Sequence, residues 1–453
     1  MIIMKETPHV ALMPSPGMGH IIPMVELAKK LIQQNNLKLT LIIPGSGLNP
    51  NEEKPFIESL PNEINLVLLP NTNSDTSINT EPVLSIFKTV ERSLPSLRNL
   101  IKSLVATTNL VALIVDFFGT TAFDIADEFN ISQYMFFASN AMLLSLYLHL
   151  PELDSTVPGK YQDLPRPVQL RGCIPLRGED LPTSFQNRES GTYKCFVEQS
   201  KRYRMASGIL VNTFSDIEGG TIKALEKGKN VPTVYPVGPM VRQSTGQTEE
   251  MKTAKSFKWL DDQPEGSVLF VCFGSMGLLS KSQINELAFG LELSGKRFVW
   301  VIRGGGLDSL PEGFAERTKD RGFLEFDWAP QAEILKHKST GGFVTHCGWN
   351  SVQESILSSV PMIAWPLYAE QRMNAALLSE HLKIAVRPGV RSAGGLVGRI
   401  EIANCVNNVM EGEQGKKLRE RTRALKVAGE KAVAVGGHSD KSLAEFVKIL
   451  KLK

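Results

Sequence analysis

Cysteine is sparse in this 453-residue chain: Cys173, Cys195, Cys272, Cys347 and Cys405 are scattered and odd in number. That argues against a disulfide framework and offers no Cys-x-x-Cys metal site. No apolar run approaches the roughly 18 uninterrupted residues that spanning a bilayer needs. The best stretches, such as Leu110 to Val115, are strand-sized, so no membrane partner is expected. Met1 to Pro8 lack a basic region followed by an apolar run. A secretory leader is therefore not expected, and the cytoplasm is the expected location. An excess of one charge is missing too, since 50 Lys and Arg stand against 47 Asp and Glu, a net +3. Nucleic-acid binders carry a stronger basic footprint, so no nucleic-acid partner is expected. There is no internal repeat and no low-complexity tract.

What the chain does have is alternation. Short β-rich apolar runs alternate with segments of helical period, as parallel sheets covered by helices require. His9 to Pro14 reads as a buried strand, Pro16 to Gly19 as a turn, and Met24, Leu27, Ala28, Leu31 and Ile32 as the apolar face of a helix. Further strands are expected at Leu37–Ile43, Ile64–Leu69, Val111–Asp116, Gln133–Phe137, Ile209–Thr213 and Thr233–Val237. The polar stretch Arg242 to Lys255 reads as a linker. Beyond it, Ser267–Phe273, Phe298–Arg303, Gly341–Thr345 and Pro361–Trp365 look like strands, and Ser282–Leu293, Asn350–Leu357 and Met373–His381 like helices. The expected architecture is α/β, with two Rossmann-like doubly wound domains facing a cleft: residues 1–241 and, past a linker at 242–255, residues 256–435. A terminal helix over 436–453, with Leu443, Phe446, Val447 and Leu450 on one stripe, should dock back on the first domain. Lys416 to Lys431 mixes Glu420 and Glu430 into a basic run at helical spacing and reads as a solvated face.

Ligands in doubly wound folds bind outside the carboxyl ends of the strands, so the loop after the first strand comes first. Gly17-Met18-Gly19 suggests a dinucleotide fingerprint, but the third glycine would fall at Ile22, and the pattern fails. With it fails the reading as a nicotinamide oxidoreductase. His20 heads the following helix, where the dipole favours neutral imidazole, and is either a general base or a hydrogen-bonded turn residue. Asp116 ends the apolar run Leu110 to Val115, where a bare carboxylate is costly. It either pairs with His20 or caps the helix expected from Thr120. A serine hydrolase is disfavoured because Phe273-Gly274-Ser275-Met276-Gly277 is not a Gly-x-Ser-x-Gly elbow. Ser275 suits either a phosphate-binding turn or a plain one.

The densest segment runs from Trp328-Ala329-Pro330-Gln331 through Gly341-Gly342-Phe343-Val344-Thr345-His346-Cys347-Gly348-Trp349-Asn350-Ser351 to Glu354, Trp365-Pro366 and Glu370-Gln371. Gly348 before Asn350 and Ser351 is a glycine turn opening a helix, whose end can hold a pyrophosphate. His346 can add a donor, and Glu354 lies one turn on, within reach of ribose hydroxyls. Trp328 offers a flat face for a base, unless it belongs to the core. Glu370 and Gln371 can serve a sugar. His346 and Cys347 have no partner at metal-ligand spacing.

This segment resembles the signature box of plant UDP-dependent secondary-product glycosyltransferases. Pro14-Ser15-Pro16-Gly17-Met18-Gly19-His20 is similar to the family's N-terminal catalytic loop and Phe273-Gly274-Ser275 to its phosphate loop. Leu310-Pro311-Glu312-Gly313-Phe314 and Trp365 to Gln371 are similar to the hydroquinone and monolignol subgroup. The resemblance implies a GT-B fold and UDP-glucose as co-substrate, with no cofactor and no metal. It implies His20 as base and Asp116 as its partner, Trp328 stacking on uracil, the Ala329 backbone reading its edge, and Gln331 and Glu354 on the ribose. Ser275, His346, Asn350 and Ser351 would take the phosphates, with Trp349 alongside, and Glu370 and Gln371 the sugar, the final Gln being associated with glucose. Phe323 to Asp327 and Met276 depart from the family pattern and bear on acceptor fit more than on the donor.

The implied reaction is an inverting glucosyl transfer to a small phenol such as hydroquinone or a monolignol, by a monomer. A flavonoid or other aglycone, or a nitrogen or sulfur acceptor, is the alternative, and a nucleotide-sugar binder without turnover is the rival from another class. Phe117, Phe118, Met142, Tyr147, Leu181 and Tyr368 are candidates for the acceptor wall, because an aromatic acceptor needs apolar lining.

Overall fold

A computed structural model describes residues 7–33, 37–45, 56–70, 82–242, 255–326, 328–389 and 395–452. The first sheet is built from β1 (His9–Met13), β2 (Lys38–Ile43), β3 (Ile64–Leu68), β4 (Leu110–Asp116), β5 (Ser132–Phe137), β6 (Gly208–Val211) and β7 (Val234–Pro236). Their order is β3-β2-β1-β4-β5-β6-β7, and every pairing is parallel. The second sheet contains β8 (Val268–Cys272), β9 (Arg297–Ile302), β10 (Gly322–Phe326), β11 (Thr340–Thr345), β12 (Met362–Ala364) and β13 (Ala385–Val386). It runs β10-β9-β8-β11-β12-β13, again all parallel.

Both sheets follow from the same sequence logic. In β4 (LVALIVD) and β8 (VLFVC) every residue is buried, as parallel strands covered on both faces require. Each sheet winds outward from its first strand and then returns to that strand's other side. The strand order therefore reverses between β1 and β4, and again between β8 and β11. At such switch points neighbouring loops part and leave a crevice at the carboxyl ends. The chain is two such Rossmann-like units, as the alternation predicts.

One compact unit comprises Met1–Gly178, Ser184–Arg242 and Lys431–Lys453, the other Glu179–Thr183 and Gln243–Glu430. Residues 243–254, most of the expected linker, lie outside the described residues. Helices occupy Lys281–Ser294 and Trp349–Leu357, close to their expected bounds. The helix expected at Met373–His381 starts earlier, at Gln371–Ala376, and runs on as a π turn at Leu377–His381. β10 and β13 escaped the sequence pattern: β10 is a half-buried edge strand that mixes Glu325 with Phe323 and Phe326, and β13 has only two residues. The Lys416–Lys431 run falls within one helix, Gly412–Val433. Among the described residues, no helix is long and apolar enough to cross a membrane.

In the first unit, the His438–Lys451 helix buries Leu443, Phe446, Val447 and Leu450. The Phe446 ring meets Tyr134 of β5 edge-on at 4.9 Å and Tyr235 of β7 at 5.5 Å. Phe446→Ala should destabilise this unit by about 3–5 kcal/mol, read from the denaturant midpoint. A change under about 1 kcal/mol would show that the helix is not part of the cooperative core.

Candidate active site

In the first unit the switch point brings together what the sequence left apart. Met13 of β1 is paired with Val115 of β4, so the loop after β1 stands beside Asp116. The His20 ring, in the first turn of the Met18–Gln33 helix, places Nδ1 3.2 Å from Asp116 Oδ2. Ser15 Oγ donates to the other carboxylate oxygen at 2.6 Å, and the Phe118 backbone N–H donates to it at 3.2 Å. Asp116 is fully buried, whereas His20 keeps 22% of its side chain exposed. Removing a carboxylate from water costs several kcal/mol unless partners replace the lost hydration, and three donors do so here. The capping alternative fails, because the short 3₁₀ turn at Thr120–Ala122 has Gly119 at its N-cap and no side-chain cap. A carboxylate only accepts, so Nδ1 carries a ring proton, and in the neutral ring Nε2 is the unprotonated nitrogen.

Aromatic rings surround this pair. Phe117 and Phe118 lie 5.4 and 5.3 Å from the His20 ring. Phe118 continues to Phe87 at 4.9 Å and Phe196 at 5.7 Å. Tyr147 is buried, stacked on Phe196 at 5.0 Å, and Met142 is buried near the start of the same Ala141–Thr156 helix. The Ala141 and Met142 N–H groups donate to the buried Glu218 carboxylate at 2.9 and 2.8 Å, which fixes that helix end. Leu181, fully buried, and Tyr368 belong to the second unit. Ser15, Phe87, Phe196 and Glu218 were not singled out from sequence. Only Ser15 carried a signal, as a hydroxyl inside the loop motif.

In the second unit the loops after β8 and β11 meet across the other switch point. His346 is buried, with its ring between two glycines: a Cβ on Gly274 would stand 2.6 Å from its Cε1, and one on Gly348 2.5 Å from its Nε2. Neither ring nitrogen has a hydrogen-bond partner among the described residues, and Nδ1 is a buried orphan. Burial alone pulls the pKa down to about 4, so the imidazole is neutral at working pH. Gly348 stands at the N-cap of Trp349–Leu357 with no side chain between the helix end and an incoming anion. Cys347 adopts φ +66, a left-handed conformation that costs a non-glycine residue about 1–3 kcal/mol. It is held there by Thr345 Oγ1 on its N–H at 3.2 Å and by Asn374 Nδ2 on its carbonyl at 2.9 Å. Its thiol is driven up to about 12 by burial and stays protonated.

The remaining residues fall around this loop. Gln331 Nε2 donates to Ser351 Oγ at 2.8 Å and to Glu354 Oε2 at 2.7 Å, tying three of the expected residues together. Trp328 is 68% exposed, which rules out the core reading, whereas Trp349 and Trp365 are buried. Ser275 is exposed in the turn after β8. Gln371 Oε1 accepts from the Leu367 and Tyr368 N–H groups at 2.8 and 2.9 Å, so its oxygen braces the loop and only its N–H side is open to further work. Glu370 Oε1 accepts from Asn374 Nδ2 at 3.4 Å. The adjacent Ala369, at φ +52, is held through its carbonyl by Thr183 N–H at 2.9 Å.

Residues 235–419 match the family model described as UDP-glucoronosyl and UDP-glucosyl transferase. The chain is 50% identical over 462 residues to a hydroquinone glucosyltransferase of Rauvolfia serpentina, covering 98% of each. It is 47% identical to UDP-glycosyltransferase 72B1 of Arabidopsis thaliana, covering 97% of this chain and 95% of that one. Among solved structures it is similar to Phytolacca americana UGT2 complexed with UDP-2fluoro-glucose and pterostilbene, with TM-score 0.92, 44% identity, and 98% and 100% of the two chains covered. A UDP-glucosyltransferase from Polygonum tinctorium capable of glucosylating indoxyl, solved with 3,4-dichloroaniline, gives TM-score 0.94 at 44% identity, covering 99% and 100%.

Gly348→Ala should push the His346 ring out of its slot without straining the backbone, since φ at this N-cap is −61. Affinity for inorganic pyrophosphate, measured by calorimetry, should fall about tenfold or more. Gly398→Ala, at another helix N-cap with nothing nearer than 4.0 Å, should leave it unchanged. Equal affinities in the two variants would remove His346 from the anion site.

Proposed function

The chain belongs to the plant UDP-glycosyltransferase family, and from that premise we propose that it transfers glucose from UDP-glucose, with inversion, to the hydroxyl of a small phenol. The observation that carries the proposal is the His20–Asp116 pair, a partly exposed ring held by a fully buried carboxylate.

In this reading the acceptor lies against Phe117 and Phe118 with its hydroxyl at His20 Nε2. The imidazole removes the proton while the oxygen attacks the anomeric carbon from the face opposite the diphosphate. One C–O bond forms as another breaks, through an oxocarbenium-like transition state, and the proton ends on His20. Asp116 stabilises the imidazolium that results. A phenol, with pKa of about 10, is within reach of an imidazole of about 6.5 when deprotonation and attack are concerted. The 50% identical relative named for hydroquinone supports a small phenol. The pterostilbene and dichloroaniline complexes of the structural neighbours support an aromatic acceptor more broadly.

Donor binding is assigned to the second unit. Trp328 stacks on the uracil and the Ala329 backbone reads its edge, while Gln331 orients Glu354 toward the ribose. Ser275, His346, Asn350 and Ser351 meet the phosphates, Trp349 packs alongside, and Glu370 with the Gln371 amide N–H group holds the glucose. The neutral imidazole of His346 serves as a hydrogen-bond donor, not as a counter-charge.

With UDP-glucose and hydroquinone, the wild-type chain should release UDP and form the inverted β-glucoside, identified by NMR. His20→Ala and Asp116→Asn should each lower kcat about 10²- to 10⁴-fold. Retention of most of the activity by His20→Ala would remove it as the base. Tight UDP binding by the wild-type chain without any release would favour a binder over an enzyme.

A further inference from the structure

Resting on that donor assignment, we propose that Arg303 is a further binding residue of the second unit, a formal positive charge that meets the diphosphate of the nucleotide sugar and of the departing nucleoside diphosphate. Arg303 directly follows β9, which pairs with β8 in the register Val271↔Trp300. β9 ends at Ile302 and β8 at Cys272, so Arg303 and the turn that carries Ser275 both leave the carboxyl ends of adjacent parallel strands. On the other side of β8, Thr345 pairs with Cys272, which brings up His346. Three adjacent strands thus deliver Arg303, Ser275 and His346 to one rim. The Tyr368 ring lies 6.3 Å from His346, and Arg303 acts electrostatically on the Tyr368 hydroxyl and on the Cys272 thiol, so the guanidinium lies near the same loops.

Charge balance is the reason to assign it. A sugar nucleotide brings two phosphate charges and the departing diphosphate gains another, while His346, neutral and buried, supplies none. The helix end supplies only a partial charge. Two other cations of this unit are already engaged: Arg387 pairs with Asp180 at 2.7 Å, and Arg372 donates to the Glu179 carbonyl at 3.1 Å. Glu354, which also acts on Cys272, accepts from Gln331. Arg303 is half-buried, yet among the described residues it has neither an ion pair nor a hydrogen bond. A half-buried guanidinium with no acceptor of its own fits a phosphate that arrives with the ligand, and its planar fork can bind two oxygens at once.

The test compares Arg303→Met and Arg303→Lys with the wild-type chain for UDP and for uridine, by calorimetry or ligand-observed NMR. Arg303→Met should weaken UDP binding about 10- to 100-fold and leave uridine binding unchanged, and Arg303→Lys should recover part of the loss. Unchanged uridine binding also reports that the site is folded. UDP affinity within about twofold of wild type, or parallel losses for UDP and uridine, would overturn the assignment while leaving the donor site intact. A wild-type chain that binds no UDP would instead overturn the donor reading and this inference with it.

Discussion

The arrangement of the first unit turns on one buried carboxylate. Asp116 ends a strand whose every residue is buried, where an unpaired charge would be costly. Its oxygens are therefore satisfied by Ser15, by the Phe118 N–H and by His20. Ser15 and His20 come from the loop after β1, which the pairing of β1 with β4 brings alongside, and Phe118 follows Asp116 in its own segment. The requirement to compensate the carboxylate thus fixes the loop after β1, and that loop fixes the orientation of the imidazole. The same carboxylate that aligns the ring would stabilise its protonated form.

The second unit treats its imidazole in the opposite way. Among the described residues no carboxylate pairs with His346; packing between Gly274 and Gly348 holds it, and burial keeps it neutral. The loop around it stores strain at Cys347 and Ala369, each held by a hydrogen bond from elsewhere in the same unit. Strain maintained in this way is a mark of a loop shaped for a ligand. The roles proposed for the two histidines, proton transfer for His20 and hydrogen-bond donation to an anion for His346, follow from this difference in their surroundings.

Much of this was legible in the chain. The alternation of apolar runs with helical segments gave the two doubly wound sheets, because central parallel strands covered on both faces read as near-continuous apolar runs. The motif strings pointed to His20 and the loop from His346 to Glu354, and the polar end of the apolar run Leu110 to Val115 pointed to Asp116. Other features depend on contacts that linear spacing does not encode. The capping and pairing alternatives for Asp116 differ only in which loop lies nearby, and the exposure of Trp328 against the burial of Trp349 and Trp365 depends on packing. β10 and β13 were missed because an edge strand of half-buried, mixed residues and a two-residue strand carry little periodic signal. Glu218 gave no sign at all, since a glutamate in a helical segment is ordinarily a solvated one.

The central claim is that Asp116 holds His20 with its proton on Nδ1, so that the neutral ring offers Nε2 to the proposed acceptor. Nitrogen-15 NMR of the histidine-labelled protein near pH 8, with the His20 signals assigned by comparison with a His20→Gln variant, reads this directly. The account predicts a neutral ring protonated at Nδ1, and loss of that preference in Asp116→Asn. A wild-type ring protonated at Nε2 would contradict it, because the nitrogen meant to take the acceptor's proton would already hold one.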